Sequence, residues 1–292
     1  MIEYIGGLKS ETKIQRYMDL GKFMDILENQ QLFFCNINCF EDKLEGASTP
    51  LNEFFSSGAA SALSNFANNT LVSSFGKNLN PPEEIEAAKK RSEEYVKESE
   101  NRSVKTVFGE VKLDDNLTYR DVVKAQKSWL DVSCWHVPES SQDNMAMWKI
   151  YGQSSQSICI TTTLGKILDA LNLPLDKAVA AVKVNYIDHE NHYFQTSHCL
   201  NPFIHKHLAY KYENEARIIV YPRKQNPLER RATSAYGTPI KLVGTEFIEE
   251  VRVCPEAPEW FCSLILSLKG RYGLRAEMGR SNLDLIAQSY GI

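Results

Sequence analysis

Tyr210-Lys211-Tyr212-Glu213-Asn214-Glu215-Ala216-Arg217-Ile218-Ile219-Val220-Tyr221 is the stretch on which the reading of this chain turns. Its tail, Ile218 to Tyr221, is β-branched and aromatic and predicts a strand over 213–221. A strand repeats every second residue. Glu213, Glu215 and Arg217 are therefore expected on one face, and Tyr212, Asn214, Ala216 and Ile218 on the other. Two carboxylates and a guanidinium at the head of an apolar strand are costly if buried unpaired. Paired, Arg217 holds one carboxylate and leaves the other for chemistry. The alternative is a surface ion-pair row, worth at most about 1 kcal/mol.

Working outward, the spacing predicts a helix over 202–208, a basic loop through Arg230-Arg231, strands near 239–243 and 249–254, and helices over 258–269 and 283–289. Upstream, Tyr17, Leu20, Phe23, Met24 and Leu27 have helical spacing, and Leu32 to Cys35 reads as a short strand. Strands are expected at 129–135, 157–163 and 179–186, with helices at 144–151 and 164–171. Residues 47–127 differ in character: Ser and Asn crowd 56–69, and Pro81-Pro82 precedes a Glu/Lys-rich helix over 83–100. The expectation is a single α+β domain over 1–292 with a central, split β-sheet and a helical insertion at 47–127, suited to a lid. Without regular βα alternation, a GxGxxG or a P-loop, a doubly wound nucleotide fold is not expected.

The net charge of −4 argues against bulk electrostatic binding to nucleic acid or anionic membrane. No apolar run reaches the roughly 20 residues of a membrane span. The N-terminus lacks the basic start and apolar run of a signal peptide, so a cytoplasmic location is expected. Seven scattered cysteines without a CxxC pair read as reduced core residues.

Several blocks carry a family resemblance. They are Phe40-Glu41-Asp42-Lys43-Leu44-Glu45-Gly46, Cys134-Trp135-His136, Met147-Trp148-Lys149-Ile150-Tyr151-Gly152, Ser157-Ile158-Cys159-Ile160 and Tyr210 to Arg217. In this order they resemble a widespread bacterial domain of unknown function allied with the AbiGi abortive-infection proteins. Glu41, Lys43, His136 and Tyr210 depart from its pattern. Arg16-Tyr17, then Thr161-Thr162-Thr163, then Glu213-x-Glu215 resemble, more loosely, the basic–Ser/Thr–Glu order of mono-ADP-ribosyltransferases. That resemblance implies an ADP-ribosyltransferase-like fold and NAD as substrate. Glu215 is then the catalytic carboxylate, with Glu213 its helper toward the acceptor. Arg16 is the candidate for the pyrophosphate, and Tyr17, Trp148 or Tyr151 for stacking on nicotinamide, with Thr161 and Arg217 completing the NAD site. The implied role is an effector of anti-phage defence or of a toxin–antitoxin system, restrained by an antitoxin or awaiting a phage-derived trigger.

Three other readings compete. His189, His192, His198, His205 and His207 fall within nineteen residues, with Cys199 among them. His189-x-x-His192 with Cys199 or His205 would suit a zinc-dependent hydrolase, although the spacing matches no strong zinc motif. From Lys206 to Arg231, seven Lys/Arg face three Glu with Tyr210, Tyr212 and Tyr221 interleaved, a pattern that suits a nucleic-acid acceptor. In the third reading Glu213, Glu215 and Arg217 are structural and the chain is a non-catalytic sensor or partner-binding protein.

Overall fold

The computed structural model describes residues 2–57, 102–114, 116–140, 143–152, 154–193, 198–232 and 236–283, with isolated positions 59, 63 and 90. The elements run β1 (Glu3–Ile5), β2 (Lys13–Asp19), α1 (Leu20–Asn29), β3 (Gln31–Asn36), α2 (Pro50–Ser56), β4 (Ser103–Thr106), β5 (Gly109–Lys112), α3 (Tyr119–Lys127) and β6 (Asp131–His136). They continue β7 (Ser157–Thr163), α4 (Leu164–Ala170), β8 (Lys177–Lys183), β9 (Asn185–Ile187), β10 (His205–His207), β11 (Glu215–Pro222), β12 (Gly237–Lys241), β13 (Glu250–Val253), α5 (Glu259–Tyr272) and β14 (Glu277–Arg280). The main sheet is ordered β1-β8-β11-β6-β2-β7-β13-β14, with β3 joining β6 to β12. Pairs β1–β8 and β13–β14 are parallel and the others antiparallel, so this is an α+β fold on a large mixed sheet.

The sheet divides at β6. The start of β6 pairs with β3 through Asp131–Asn36 and Val132–Cys35. Its end meets β2 through the single pair His136–Gln15, whereas β2 pairs with β7 along its whole length. Paired residues in a register share a face. Ala216, Ile218, Val220, Trp135 and Ala181 thus share one face and join the larger apolar cluster, with Phe23, Ile26 and Leu27 of α1 and Phe261, Ile265 and Leu268 of α5. The other face carries Glu215, Arg217, Ile219, Cys134, His136, Val132 and Val182. Its apolar members pack against Tyr119, Val122 and Val123 of α3.

Several sequence expectations are corrected. Tyr17 belongs to β2, and α1 starts only after Asp19, whose side chain caps it by accepting from the Lys22 N–H at 2.9 Å. The predicted helix at 202–208 is a 3₁₀ turn, Asn201–Phe203, followed by β10. Glu213 ends a second 3₁₀ turn, Leu208–Glu213, and Asn214 is left-handed with φ 42°, so β11 starts at Glu215. Within 47–127 the described residues include the β4–β5 hairpin, and α3 belongs to the core through Tyr119 and Val122. The helices expected at 83–100 and 283–289 lie outside the described residues, apart from positions 90 and 283.

Candidate functional site

Arg217 is wholly buried on the polar face of β11. A guanidinium has five N–H donors, and here each has an acceptor. Nε donates to Glu215 Oε1 at 2.8 Å. Nη1 donates to Glu45 Oε2 and to the Phe203 carbonyl, both at 2.8 Å. Nη2 donates to Glu45 Oε1 at 2.7 Å and to Glu215 Oε2 at 3.1 Å. Glu45 is delivered by the acidic turn that follows Phe40. Gly46 is left-handed there, with φ 69°, and a Cβ on it would meet the Phe203 ring at 3.0 Å. The turn therefore needs glycine both for its backbone and to seat Phe203, whose carbonyl closes the Arg217 shell.

Lys206 of β10 is the second cation. Its Nζ lies 2.6 Å from Glu213 Oε2, 3.4 Å from Glu215 Oε2 and 3.5 Å from Glu45 Oε1, and 4.6 Å from the centre of the Tyr210 ring. Three carboxylates thus share two cations, and they do not share them equally. Burial pushes the Glu215 carboxyl up, but Arg217 and then Lys206 outweigh it and hold the group at about 2. Burial also pushes Glu213 up. Lys206 opposes this, repulsion from Glu215 adds to it, and the group ends above the usual carboxylate range. Glu213 Oε1 accepts from the Tyr151 hydroxyl at 2.7 Å, and Tyr151 itself is exposed. Tyr151 sits in a π-helical turn, Trp148–Gly152, a geometry frequent at functional sites.

A register row carries polar groups from this cluster across the sheet: Glu215, His136, Gln15, Thr161 and Glu250. The first four are buried. His136 Nδ1 donates to the Glu213 carbonyl at 2.6 Å. Gln15 accepts from the Tyr17 hydroxyl at 3.1 Å, and Thr161 donates to Glu250 Oε2 at 3.4 Å.

The structure brings Glu213, Glu215, Arg217 and Tyr151 together. Tyr17 lies on the same face, its ring 6.3 Å from His136 and 4.9 Å, edge-on, from Trp148. Trp148 is buried, and its indole N–H has no partner among the described residues. Thr161 stands three strand spacings from Glu215, roughly 14 Å. Arg16 is not brought to Glu215. Gln15 shares the face of His136, so alternation sends Arg16 to the opposite face. There it donates to Ser133 Oγ at 2.9 Å and lies 5.7 Å from the centre of the Trp135 ring. As expected, Arg217 holds one carboxylate of the pair, Glu215, and not the other; Glu213 is bonded to Lys206 instead. Arg217 holds Glu215 and the distant Glu45, and Glu213 is the carboxylate outside its reach.

Glu45 and Lys206 are the site residues that sequence reasoning missed. Glu45 lies in the turn Phe40 to Gly46, where its neighbours Leu44 and Gly46 give no sign of a buried acid. Lys206 stands in the sequence as the edge of a basic patch. That patch is dispersed: Lys206 and Arg217 are buried in the ion cluster, and Arg231 binds Asp131, whereas Lys211, Arg223, Lys224 and Arg230 are exposed. Two pairs of histidine rings lie close, His189 with His207 at 6.0 Å between ring centroids and His192 with His205 at 6.1 Å. No group of three or more His, Cys, Asp or Glu among the described residues is arranged to hold a metal. Both His189 ring nitrogens and Asp42 Oδ2 lack partners among the described residues.

No protein-family model matches the chain, and no curated protein matches it. Among solved structures, Thermus sp. 2.9 DarT in complex with ADP-ribosylated ssDNA aligns with 94% of this chain and 96% of its own, at 8% identity and a TM-score of 0.33. A similarity of that degree leaves the functional reading to the site itself. Among the described residues no helix is long and apolar enough to cross a membrane.

Proposed function

We propose that this chain is an ADP-ribosyltransferase-like enzyme with NAD as its substrate, and that Glu213 rather than Glu215 meets the reacting ribose. The observation that carries the reading is the unequal division of the ion cluster. Glu215 is fixed by Arg217, whereas Glu213 has no arginine, is raised above the usual carboxylate range, and is bonded to an exposed tyrosine. In the reaction the bond from ribose C1′ to the nicotinamide nitrogen breaks, and its electron pair goes to the pyridinium ring. An acceptor nucleophile adds to C1′ and gives its proton to Glu213. The oxocarbenium-like charge that develops at the ribose is stabilised by the same carboxylate. Glu215, Arg217 and Glu45 anchor the residues around it, and Tyr151 offers the exposed ring for nicotinamide. Arg16, on the far face, is not the pyrophosphate partner in this arrangement.

The biological role proposed is that of a defence or toxin–antitoxin effector whose acceptor is a nucleic acid or a protein. Expression of the wild-type chain alone should then slow growth, and Glu213→Ala should relieve it. Unmodified macromolecules, unchanged NAD and equal growth of both strains would remove the role. A second reading, a non-catalytic partner-binding protein, is favoured by the saturation of all five Arg217 donors, which is how a structural staple is built. Thermal shift separates the two, because a ligand at 100 times its dissociation constant stabilises by about 2.7 kcal/mol. A shift with NAD supports the enzyme, and none at millimolar NAD supports the staple.

A further inference from the structure

The acidic turn, α3 and the loop after β11 line an open cavity of about 580 Å3. It falls within the roughly 300–1,000 Å3 usual for small-ligand sites. Its lining includes Lys43, Arg120, Lys124, Lys127, Arg230 and Arg231, and Glu45 is the one acidic side chain among its described residues. Both Glu45 oxygens are already bound by Arg217, so the carboxylate does not neutralise the cavity. Two of the arginines are held in place from behind. Arg231 Nη1 donates to both Asp131 oxygens at 2.9 and 2.8 Å, and Asp131 is itself buried and bonded by Asn36 at 3.0 Å. Arg120 donates to Glu53 through Nε at 2.9 Å and Nη2 at 2.6 Å. Lys127 donates to the Glu45 carbonyl rather than to a carboxylate. Lys43, Lys124 and Arg230 are exposed and have no carboxylate within ion-pair distance among the described residues.

Gathering six cations around one cavity opposes folding through mutual repulsion. Asp131 and Glu53 offset the two arginines that they hold. A multiply charged anion offsets the rest. Arginine forks and lysine point charges are the groups that recognise phosphate oxygens. Among the described residues the lining has no aromatic side chain, and so no stacking platform of the kind that single-stranded nucleic acid uses. From the sign of the charge, the volume and the absence of a stacking surface among the described lining residues, we propose that this cavity binds a compact oligophosphate group, carried by a nucleoside di- or triphosphate or free as inorganic oligophosphate. The site stands whether or not NAD is cleaved at Glu213.

The test is titration of the full-length chain with inorganic tripolyphosphate, ATP and a short oligothymidylate, beside the Lys124→Ala/Arg230→Ala double variant. Both changed residues are exposed and lack carboxylate partners among the described residues, so the variant keeps its fold, which circular dichroism and Tm verify. Tripolyphosphate and ATP should both bind, and the double variant should weaken both by about tenfold or more. Equal affinity of the two identifies the phosphates alone as the ligand, and tighter ATP identifies a nucleotide. Binding of oligothymidylate alone, tightening with its length, overturns the assignment in favour of a phosphodiester track. No binding by any probe, or binding that the double variant leaves unchanged, also overturns it.

Discussion

The Arg217 cluster and the Arg231 cavity use the same parts with opposite balance. Each begins with an arginine gripped by a buried carboxylate, Glu45 in one and Asp131 in the other. In the cluster three carboxylates meet two cations, every guanidinium donor is used, and the charges face each other. In the cavity the cations outnumber the single carboxylate of the lining, and three of them have no carboxylate partner among the described residues. Glu45 joins the two regions: its carboxylate belongs to the cluster, and its carbonyl receives Lys127 of the cavity wall. Charge spent internally fixes a fold, and charge left over recognises a ligand. Within the cluster the two neighbouring carboxylates are held differently, Glu215 by Arg217 and Glu213 by Lys206 and Tyr151.

The comparison breaks most visibly at its centre. Arg217→Met should strand Glu45 and Glu215 in the interior and cost about 3–5 kcal/mol in urea unfolding. A loss below about 1 kcal/mol would mean that the cluster is not a staple.

Acid should weaken the cluster's surroundings in a fixed order. Burial lowers His205 to about 4, so between the usual histidine range and pH 4 the unfolded chain binds a proton that the folded one refuses. Stability should fall by up to about 3 kcal/mol as pH drops through that window. Glu215, held at about 2, adds stability above its unfolded value of roughly 4.3 that disappears as pH falls toward 2. Thermal melts of wild type and His205→Gln should show the slope between pH 6.5 and 4 flattened in the variant. Parallel curves would place the loss elsewhere.

Asp131→Asn sharpens the comparison from the cavity side. It loosens Arg231 and should cost about 2 kcal/mol. It should also weaken oligophosphate binding while leaving the Arg217 cluster intact. Glu213→Gln should change stability least, by under about 1 kcal/mol, because a neutral amide suits a site that already disfavours the carboxylate. Chemical denaturation of both variants checks the order.

The sequence carried the apolar alternation of β11 and the shared face of Glu215 and Arg217, because Ile218 to Val220 set a register that tertiary packing did not alter. It did not carry the break at Asn214, since a left-handed residue between two glutamates leaves the alternating pattern unchanged on paper. Tyr17 was drawn into a helix because Leu20, Phe23, Met24 and Leu27 extend a genuine helical stripe backwards, and only the Asp19 cap marks its true start. Arg16 was placed beside Glu215 by chain order, and order says nothing about which face of a sheet a residue takes. The partnership of Glu45 with Arg217 spans 172 positions and has no local signal at all.

Nicotinamide release from NAD by purified wild type, Glu213→Gln and Glu215→Gln, measured beside the Tm of each, tests the central claim most directly. The division of the cluster predicts that Glu213→Gln keeps the wild-type Tm and loses activity on the order of 100-fold or more. Glu215→Gln should instead lower the Tm first, with activity lost along with the fold. Full activity in a stable Glu213→Gln protein, or no release by the wild type together with no NAD binding, would contradict the account.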